Sequence, residues 1–327
     1  MGLGNFDGFH LGHQALLRHV IDQARREQGS AGILTFQEHP QKILHPESKP
    51  ALLISPEYKL FHFEDWGFDL CLWPHFTESF SRMKARQFVE EILVKQLNVR
   101  EVCMGYNAHF GYRREGDAAM MRRLAGEYGI KFEEIEPIRA GGDYVSSSRL
   151  RKLVQEGRLD EAELCLGHAF RMLGRVIPGA GRGATLGYPT ANMETAHDVF
   201  PPRGVYPVLL RVIDYENKAA RGNSDSLFTL RSKGEWLYGV LNYGLRPTFK
   251  TAQPETARLI PEVHLLDFQG DLYGKRVEIE FYPRLREEKV FKGSEALKRQ
   301  ISKDIEESRR YLDFRLHPKT DRSSRKQ

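Results

Sequence analysis

The sequence predicts two domains of different class: an α/β domain with a parallel sheet, followed by a small antiparallel β-barrel. In the first half, short apolar strands alternate with amphipathic helices, which is the pattern of a parallel sheet. After about residue 168, short alternating strands are separated by glycine and proline, as in an antiparallel barrel. The length of 327 residues also exceeds that of a usual single domain. We place the first domain at residues 1–167, the second at 168–316, and a disordered basic tail at 317–327.

Composition limits the partners that the chain is expected to bind. Apolar residues make up 40% and charged residues 28%, an ordinary globular balance. No apolar run approaches the roughly 20 residues that span a bilayer and no signal peptide is visible, so we expect no membrane. Cys71, Cys103 and Cys165 are widely spaced and form no metal pattern, which predicts reduced thiols in the cytoplasm. The net charge of +5 is mild and scattered, so we expect a polyphosphate ligand and no nucleic acid, and self-association stays open.

The first motif is residues 4–13, which have the residue types of a phosphate site. Gly4 and Gly8 permit a tight turn that can lie against a phosphate. His10 and His13 are three residues apart, so at the start of a helix they share one face. Apolar residues then follow at helical spacing: Leu16, Leu17, Val20, Ile21 and Ala24. Free N–H groups and the helix dipole favour an anion there, whereas the alternative is a turn with two surface histidines.

The other elements of the first domain follow from the apolar pattern. Only residues 1–3 precede the turn, although a buried parallel strand should lead into it. We therefore expect either a shortened chain or a strand that pairs only minimally. Apolar runs predict strands at 31–36, 70–72 and 99–104, and helical spacing predicts helices at 55–62, 83–96, 146–156 and 160–166.

The second domain opens with a glycine loop at residues 179–187, followed at once by 189–192. In an extended chain Thr190 and Asn192 alternate onto one side, so that a hydroxyl and an amide oxygen can face one hard cation. The segment lacks the lysine of a Walker motif and is not a P-loop. From its residue types alone, the segment 179–192 is predicted to be a turn-rich hairpin.

Two of these motifs match family signatures. Residues 4–13 read Gly-Asn-Phe-Asp-Gly-Phe-His-Leu-Gly-His, which resembles the extended HxGH motif of the nucleotidylyltransferases at every specified position. Residues 187–192 read Gly-Tyr-Pro-Thr-Ala-Asn, which resembles the Gly-Phe-Pro-Thr-Ala-Asn signature of riboflavin kinases. Both occur, in this order, in the bacterial bifunctional riboflavin kinase/FAD synthetases. The resemblance covers almost the whole chain.

For the first domain, this resemblance implies a Rossmann-like nucleotidylyltransferase fold that adenylylates FMN to FAD and releases pyrophosphate. His10, His13 and either Arg149 or Arg151 are expected to stabilise charge at the α-phosphoryl of ATP. The family pattern implies further nucleotide-binding residues: Gly4, Phe6, Asp7, Gly8, His39, Ser147 and Ser148. In the loop 105–116, Asn107 and Phe110 are expected to bind the flavin.

These implied roles compete with structural alternatives. His39 can be a loop histidine held by the proline after it, and Phe110 can belong to the core. Ser147 and Ser148 sit where serines serve as helix N-caps. Glu38 and Ala108 depart from the proline and the aromatic residue of the family pattern.

For the second domain, the resemblance implies a six-stranded β-barrel with a C-terminal helix, predicted at 294–312, that phosphorylates riboflavin to FMN with ATP. Glu262, at the start of a strand predicted at 262–268, matches the family's catalytic glutamate, although alone it would be an exposed strand carboxylate. Thr190 and Asn192 are expected to hold Mg²⁺. The remaining implied residues are Gly181, Gly183 and Gly187 over the phosphates and Arg246 at the flavin. Residues 214–233 exceed the family's usual hairpin and are predicted to be a mobile surface insertion.

Two other interpretations remain open at this stage. The short first strand, Glu38 and Ala108 fit a protein that is a riboflavin kinase only, with a degraded first domain. A non-enzymatic flavin- or RNA-binding module with a basic tail is the alternative from another class. Thr190, Asn192 and Glu262 argue against the second alternative, since a binding module needs no general base.

Overall fold

The computed structural model describes residues 1–36, 47, 50–179, 181–217, 228–232, 234–244 and 260–317. His39 and Arg246 lie outside these described residues, as does the tail from 318 onward. Internal contacts divide the chain into two compact units. The first unit contains Met1–Lys152, Leu164–Gly167 and His197–Val199, and the second contains Leu153–Glu163, His168–Ala196 and Phe200–Gln327. The predicted boundary between residues 167 and 168 stays a prediction.

The first unit is built on a parallel sheet, so the predicted α/β class is confirmed. Its five strands are β1 Gly2–Leu3, β2 Gly32–Leu34, β3 Leu70–Leu72, β4 Glu101–Gly105 and β5 Lys131–Ile135. Their spatial order is β3-β2-β1-β4-β5, and every neighbouring pair is parallel. Such a sheet needs both faces covered, and accordingly β2 is buried along its whole length.

Helices and a small hairpin complete this half of the chain. The helices are α1 Leu11–Arg26, α2 Pro56–Asp65, α3 Glu78–Ser81, α4 Ala85–Gln87, α5 Ala118–Glu127, α6 Ser147–Gln155 and α7 Leu159–Leu166. The hairpin consists of β6 Arg139–Ala140 and β7 Asp143–Tyr144. As the periodicity predicts, α1 buries its apolar stripe, namely Leu16, Leu17, Val20 and Ile21.

β1 is the central strand of the sheet although only two residues form it. Gly2 and Leu3 pair with β2 on one side and with β4 on the other. Leu3 is buried in the core beside Val102 and Met104 of β4. Gly2 and Leu3 therefore form a two-residue strand that is paired on both sides.

Some elements differ from the predicted ones. The helix predicted at 83–96 is an α-helix only over Ala85–Gln87, which is α4. It continues as a π-helix over Phe88–Gln96, in which backbone hydrogen bonds join residues five positions apart, such as Leu97 N–H to Ile92 O. Apolar spacing does not distinguish these two bond patterns. Neither α5 nor β5 is among the predicted elements. β5 is an edge strand whose sequence, Lys-Phe-Glu-Glu-Ile, carries the charges that protect such edges and thereby conceal the strand pattern.

The second unit is a closed antiparallel barrel, which confirms the predicted class. Its strands are β8 Phe170–Ile177, β9 Ala191–Glu194, β10 Gly204–Asn217, β11 Phe228–Ser232, β12 Leu237–Tyr243, β13 Glu262–Leu265 and β14 Arg276–Phe281. Six of them close in the order β10-β12-β13-β9-β8-β14, because β14 pairs back onto β10. The one-turn helix α8 Arg182–Thr185 and the long helix α9 Ser294–Leu316 accompany the barrel.

The region predicted as a mobile surface insertion at 214–233 begins and ends in paired strands, and its mobility stays a prediction. β10 continues to Asn217, and β11 pairs with it from Ile213 opposite Ser232 to Asn217 opposite Phe228. Ile213 and Tyr215 in β10, and Phe228 and Leu230 in β11, are hydrophobic pairs at the two-residue strand period, a signal that the polar composition obscures. Among the described residues, no helix combines the length and the apolarity that a membrane crossing requires.

Candidate active sites

The predicted site residues of the first unit lie where the parallel strands end. β1 leads directly into the turn at residues 4–10, and β2 is followed by the buried Thr35. β3 is followed by Trp73, and β4 by the loop that contains Asn107. The carboxyl ends of neighbouring parallel strands meet at one edge, which is where such sheets bind ligands.

The turn at residues 4–10 has a strained backbone. Phe6 and Phe9 have φ angles of 50° and 44°, values that residues other than glycine rarely adopt. Gly8 has φ 94°, and a Cβ there would lie 2.8 Å from Leu53 Cδ1 and 2.9 Å from Leu150 Cδ2. Both the φ angle and the close packing therefore require glycine at position 8.

The two motif histidines form one stacked unit. His10 caps α1, and its Nδ1 accepts a hydrogen bond from the backbone N–H of His13 at 3.3 Å. The rings stack with their centroids 3.7 Å apart. Gly12 permits this arrangement, because a Cβ there would lie 3.3 Å from the His10 ring. Since Nδ1 accepts, a neutral His10 carries its proton on Nε2 and can donate from there.

Burial keeps both imidazoles neutral. Desolvation lowers the pKa of His10 to about 4. It lowers the pKa of His13 well below its usual value, and the charges of His10 and Lys59 lower it further. The Nδ1 atom of His13 is shielded from solvent and has no hydrogen-bond partner among the described residues. Phe6 is fully buried and its ring stands edge-on to His13 at 5.4 Å, so Phe6 positions that imidazole.

These histidines predict acid sensitivity of the first unit. His197 is also buried, contacts Leu53 O through Nδ1 at 2.8 Å, and has a pKa lowered to about 4 by burial. Unfolding restores each histidine to its ordinary pKa of about 6.5, so the unfolded chain binds more protons between pH 6.5 and 4. The contributions of His10 and His197 to the free energy of unfolding are therefore complete above pH 6.5, and each decreases by about 1.4 kcal/mol per pH unit as the pH falls to 4.

Urea unfolding of the full chain at several values between pH 7.5 and pH 5 measures this effect. The variant His197→Asn should weaken the dependence on pH. The variant His109→Gln alters an exposed histidine and is the matched control. Equal slopes in the wild type and His197→Asn would contradict the assignment to His197.

Asp7 and Arg151 form a buried link beneath the turn. The Asp7 carboxylate accepts hydrogen bonds from the backbone N–H groups of Leu53 at 2.9 Å and Ile54 at 3.2 Å. It also accepts from Arg151 Nη2 at 2.9 Å, while Arg151 Nε donates to Ala51 O at 2.7 Å. Burial raises the pKa of Asp7, and the charge of Arg151 opposes that rise. Both residues, expected at the nucleotide, thus hold residues 51–54 against the turn.

The second motif begins α6 and meets the first. Ser146 Oγ accepts from Arg149 N at 3.2 Å, which makes Ser146 the capping serine. Ser147 Oγ donates to Asp7 O at 2.8 Å, and Ser148 is exposed. Arg149 Nη1 donates to backbone carbonyls of the β6–β7 hairpin, those of Ala140, Asp143 and Tyr144. The structure thereby brings the N-termini of α1 and α6 together, and both dipoles favour an anion.

The predicted flavin residues have different environments. Asn107 is exposed at the carboxyl end of β4. Phe110 is half-buried, packs against the core cluster and contacts the Phe88 ring at 5.8 Å. A Cβ on Gly116 would lie 2.7 Å from the Phe110 ring, so the loop closes tightly over that side chain. The core alternative for Phe110 is therefore supported.

In the second unit, strand register brings the proposed base beside a proposed metal ligand. Glu262, the first residue of β13, lies directly opposite Asn192 of β9. Directly opposed residues project from the same face with Cβ atoms about 5 Å apart. Asn192 is buried and Glu262 is half-buried.

The glycine loop packs against the same residues. A Cβ on Gly179 would lie 1.8 Å from the side-chain nitrogen of Asn192, and one on Gly183 would lie 3.2 Å from Thr190 Oγ1. Part of the loop is the one-turn helix α8, which Gly181 begins with φ 67°. Gly187 has φ 90°. The described residues contain no cluster of His, Cys, Asp or Glu that could hold a metal ion, so a cation here depends on hydroxyl, amide and phosphate oxygens.

Gly179→Ala is expected to impair the second unit's chemistry. The added methyl group must displace the Asn192 amide, and a misplacement of about 1 Å can reduce a rate by roughly a hundredfold. The measurement is the initial rate of FMN formation from riboflavin and ATP. Gly126→Ala is the matched control, because no atom lies within 4 Å of a Cβ there. An unchanged rate in Gly179→Ala would show that the position of Asn192 is unimportant.

Lys59 and Trp73 were not among the predicted site residues. The charge of Lys59 acts on His13, and Trp73 is the neighbour of Lys59. Lys59 is buried on α2, and its Nζ lies 5.9 Å from the centre of the Trp73 ring. A usable signal was present, since Lys59 follows Tyr58 and precedes Phe61 in a helix whose buried residues are mostly aromatic. A lysine among such residues is rarely buried without a partner.

Both halves of the chain are similar to known protein families. A family model described as FAD synthetase matches residues 1–149, and one described as riboflavin kinase matches residues 166–312. Three curated relatives named bifunctional riboflavin kinase/FMN adenylyltransferase illustrate the similarity. The Bacillus subtilis protein is 33% identical, covering 95% of this chain and 92% of its own. The Escherichia coli K12 protein is 32% identical with coverages of 92% and 89%, and the Buchnera aphidicola protein from Acyrthosiphon pisum is 31% identical with 96% and 93%.

A solved structure shares the fold. A crystal structure described as a macrolide-efflux protein from Streptococcus pneumoniae matches with a TM-score of 0.76 and 24% identity. The match covers 94% of this chain and 93% of that one. At this level of identity the likeness concerns the fold alone.

Proposed function

The chain belongs to the family of bifunctional riboflavin kinase/FMN adenylyltransferases, and from that membership we propose which residues carry its two reactions. The protein phosphorylates riboflavin to FMN with ATP and adenylylates FMN to FAD. The observation that carries the residue assignment is that each unit retains an assembled site. One has the stacked pair His10 and His13, and the other has Glu262 opposite Asn192.

In the kinase unit, Glu262 acts as the general base. Its carboxylate takes the proton from the terminal hydroxyl of the riboflavin side chain as that oxygen attacks the γ-phosphorus of ATP. ADP leaves, and the new P–O bond completes FMN. The half-buried position of Glu262 beside Asn192 supports this role, because it holds the carboxylate next to the proposed phosphate site.

Thr190 and Asn192 fit a magnesium ion in the same unit. Their oxygens are the hard donors that Mg²⁺ prefers, and Gly179 lets the Asn192 amide lie where any side chain at position 179 would have to be. When bound, the ion supplies positive charge that offsets the phosphates of ATP. The backbone around Gly181, Gly183 and Gly187 covers those phosphates.

In the adenylyltransferase unit, a phosphate oxygen of FMN attacks the α-phosphorus of ATP and pyrophosphate leaves. No general base is required, since the phosphate nucleophile is already ionised. His10 and His13 donate hydrogen bonds to the α-phosphoryl oxygens as neutral imidazoles, and the N-terminal dipoles of α1 and α6 add to this stabilisation. Gly4 and Gly8 let the backbone approach the nucleotide.

Of the two candidate arginines, Arg149 is the one we assign to the phosphoryl group. Its present partners are neutral backbone carbonyls, and a charged phosphate forms stronger hydrogen bonds than these. Arg151 is committed to the buried Asp7 carboxylate, so we assign it and Asp7 a positioning role. Ser148 is exposed at the start of α6 and can donate to phosphate, whereas Ser147 holds the turn.

The remaining assignments have weaker support. Asn107 is suited to bind the flavin because it is exposed at the ligand edge of the sheet. His39 and Arg246 keep the roles that the family pattern implies for them. We propose a cytoplasmic location, supported by three free cysteines, of which Cys103 and Cys165 are buried.

A chromatographic assay of the purified protein tests this function. One reaction contains riboflavin, ATP and Mg²⁺, and a parallel reaction contains FMN instead of riboflavin. FMN followed by FAD in the first tube is expected. Accumulation of FMN without FAD would support the kinase-only interpretation, and bound flavin without any product would support the binding module.

A further inference from the structure

Lys59 is a buried cation whose ammonium group has no polar partner among the described residues. Its side chain is 6% exposed, and the described residues provide no hydrogen bond or ion pair for Nζ. Its Nζ atom lies over the face of Trp73, 5.9 Å from the ring centre. Burial lowers the pKa of Lys59 to about 8, against the opposing charges of Asp7 and Cys71. A buried charge without a partner is costly, so its retention needs an explanation.

Two further donors near Lys59 are also unpartnered. Three buried side-chain polar atoms in the described part of the chain lack a hydrogen bond, and two of them are His13 Nδ1 and Trp73 Nε1. Lys59 links these two, because it faces the Trp73 ring and its charge lowers the pKa of His13. Trp73 Nε1 can only donate. An unpartnered ammonium and an unpartnered indole N–H beside the catalytic imidazoles together suit an anion.

Asp7 is not the partner that neutralises the buried charge of Lys59. Its carboxylate lies close enough to affect the pKa of Lys59, but Asp7 accepts two backbone hydrogen bonds and pairs with Arg151. No ion pair joins Asp7 to Lys59 within the described ranges. The charge of Asp7 is thus already compensated, and Lys59 remains available for a ligand.

We propose that Lys59 and Trp73 form a phosphate-binding subsite of the adenylyltransferase unit, at the carboxyl ends of β1 and β3 beside His13. This inference rests on the proposed function of that unit. The ligand is a phosphate group, and the reaction offers two sources for it. One is the β- and γ-phosphates of ATP, which leave as pyrophosphate, and the other is the 5′-phosphate of FMN.

The subsite gives the adenylyltransferase reaction an alkaline limit. Lys59 binds phosphate while protonated, so kcat/KM falls as pH rises through about 8. The groups that face Lys59 are Asp7 from the turn, His13 from α1, and Cys71 with Trp73 from the β3 end. Burial holds the pKa of Cys71 at about 12, so its thiol does not titrate in this range.

The test compares Lys59→Met, Lys59→Arg and Trp73→Phe in the full chain. Lys59→Met should raise one KM about ten- to a hundredfold, the range expected for a lost charged hydrogen bond. If Lys59 binds the ATP phosphates, KM for ATP rises and calorimetric affinity for inorganic pyrophosphate falls. If it binds FMN, KM for FMN rises and pyrophosphate affinity is unchanged. Trp73→Phe should raise the same KM, but by a smaller factor than Lys59→Met does.

Two further readouts separate binding from structure. Lys59→Arg should retain affinity and lose the decline above pH 8, because arginine stays protonated. The free energy of unfolding of each variant in urea, measured beside that of the wild type, reports whether the first unit is folded. Lys131→Met is the matched control, since Lys131 is exposed and begins β5 at the opposite edge of the sheet. If neither KM nor pyrophosphate affinity changes more in Lys59→Met than in Lys131→Met, the subsite is refuted, whereas absence of FAD formation in the wild type would refute the proposed function instead.

Discussion

Glu262→Ala is expected to abolish FMN formation from riboflavin while FAD synthesis from supplied FMN continues. Removing the general base should lower the kinase rate by roughly 10²–10⁴-fold, the usual contribution of such a group. The two reactions are assigned to different units with separate sites, so the adenylyltransferase rate should not change. Parallel chromatographic assays with riboflavin and with FMN measure both rates.

Two variants sharpen this experiment. Glu262→Gln keeps the shape of the side chain and removes its basicity, so it should be as inactive as the alanine variant. Glu235→Gln removes an exposed carboxylate from the same unit and should retain full kinase activity. Loss of both reactions in a folded Glu262→Ala protein would mean that Glu262 does not act as the kinase base.

His13→Ala is expected to have the reciprocal effect. The variant removes one hydrogen-bond donor aimed at the α-phosphoryl, and such a loss typically reduces a rate by about 10²–10³-fold. FAD formation from FMN should fall by that factor, and FMN formation from riboflavin should be retained. The comparison requires saturating FMN and ATP, so that the change is read in kcat.

The buried position of His13 calls for a folding control. His13→Ala leaves a gap beside Phe6 and His10, so its free energy of unfolding must be measured together with its activity. His13→Gln keeps an N–H donor in a similar volume and should recover part of the rate. A kinase rate that falls in parallel with FAD formation would indicate misfolding and contradict the assigned role.

Much of this architecture could be predicted from local patterns. The apolar spacing from Leu16 to Ile21 locates α1, and the strand predicted at 70–72 is β3 as observed. The signature at 187–192 and Glu262 could be paired through the family pattern, but only the β9–β13 register shows that Asn192 and Glu262 are direct neighbours. Strand pairing between distant segments has no local signal.

The hydrogen-bond partner of each buried polar group could not be predicted from the sequence. Asp7 and Arg151 both look like ligand residues in a motif, yet they satisfy each other across 144 positions of sequence. Lys59 looks like an ordinary helix residue, and its burial depends on tertiary contacts of α2, such as those of Phe63 with Phe6 and Phe9 of the turn. The π-helical bonds after α4 depend on hydrogen-bond geometry that side-chain periodicity does not encode.

The two-sided pairing of β10 has a consequence for how the barrel forms. Its first half pairs with β12, while the residues from Val208 to Ile213 pair with β14, which lies much farther along the chain. The pairing of β10 with β14 closes a longer loop than the pairing with β12, so it costs more conformational entropy and forms more slowly. β14 therefore joins two strands that both precede it by many residues, since it pairs with β10 on one side and with β8 on the other. Whenever β14 is undocked, Val208–Ile213 of β10 and Phe170–Arg175 of β8 lack these partners and present open strand edges to neighbouring chains.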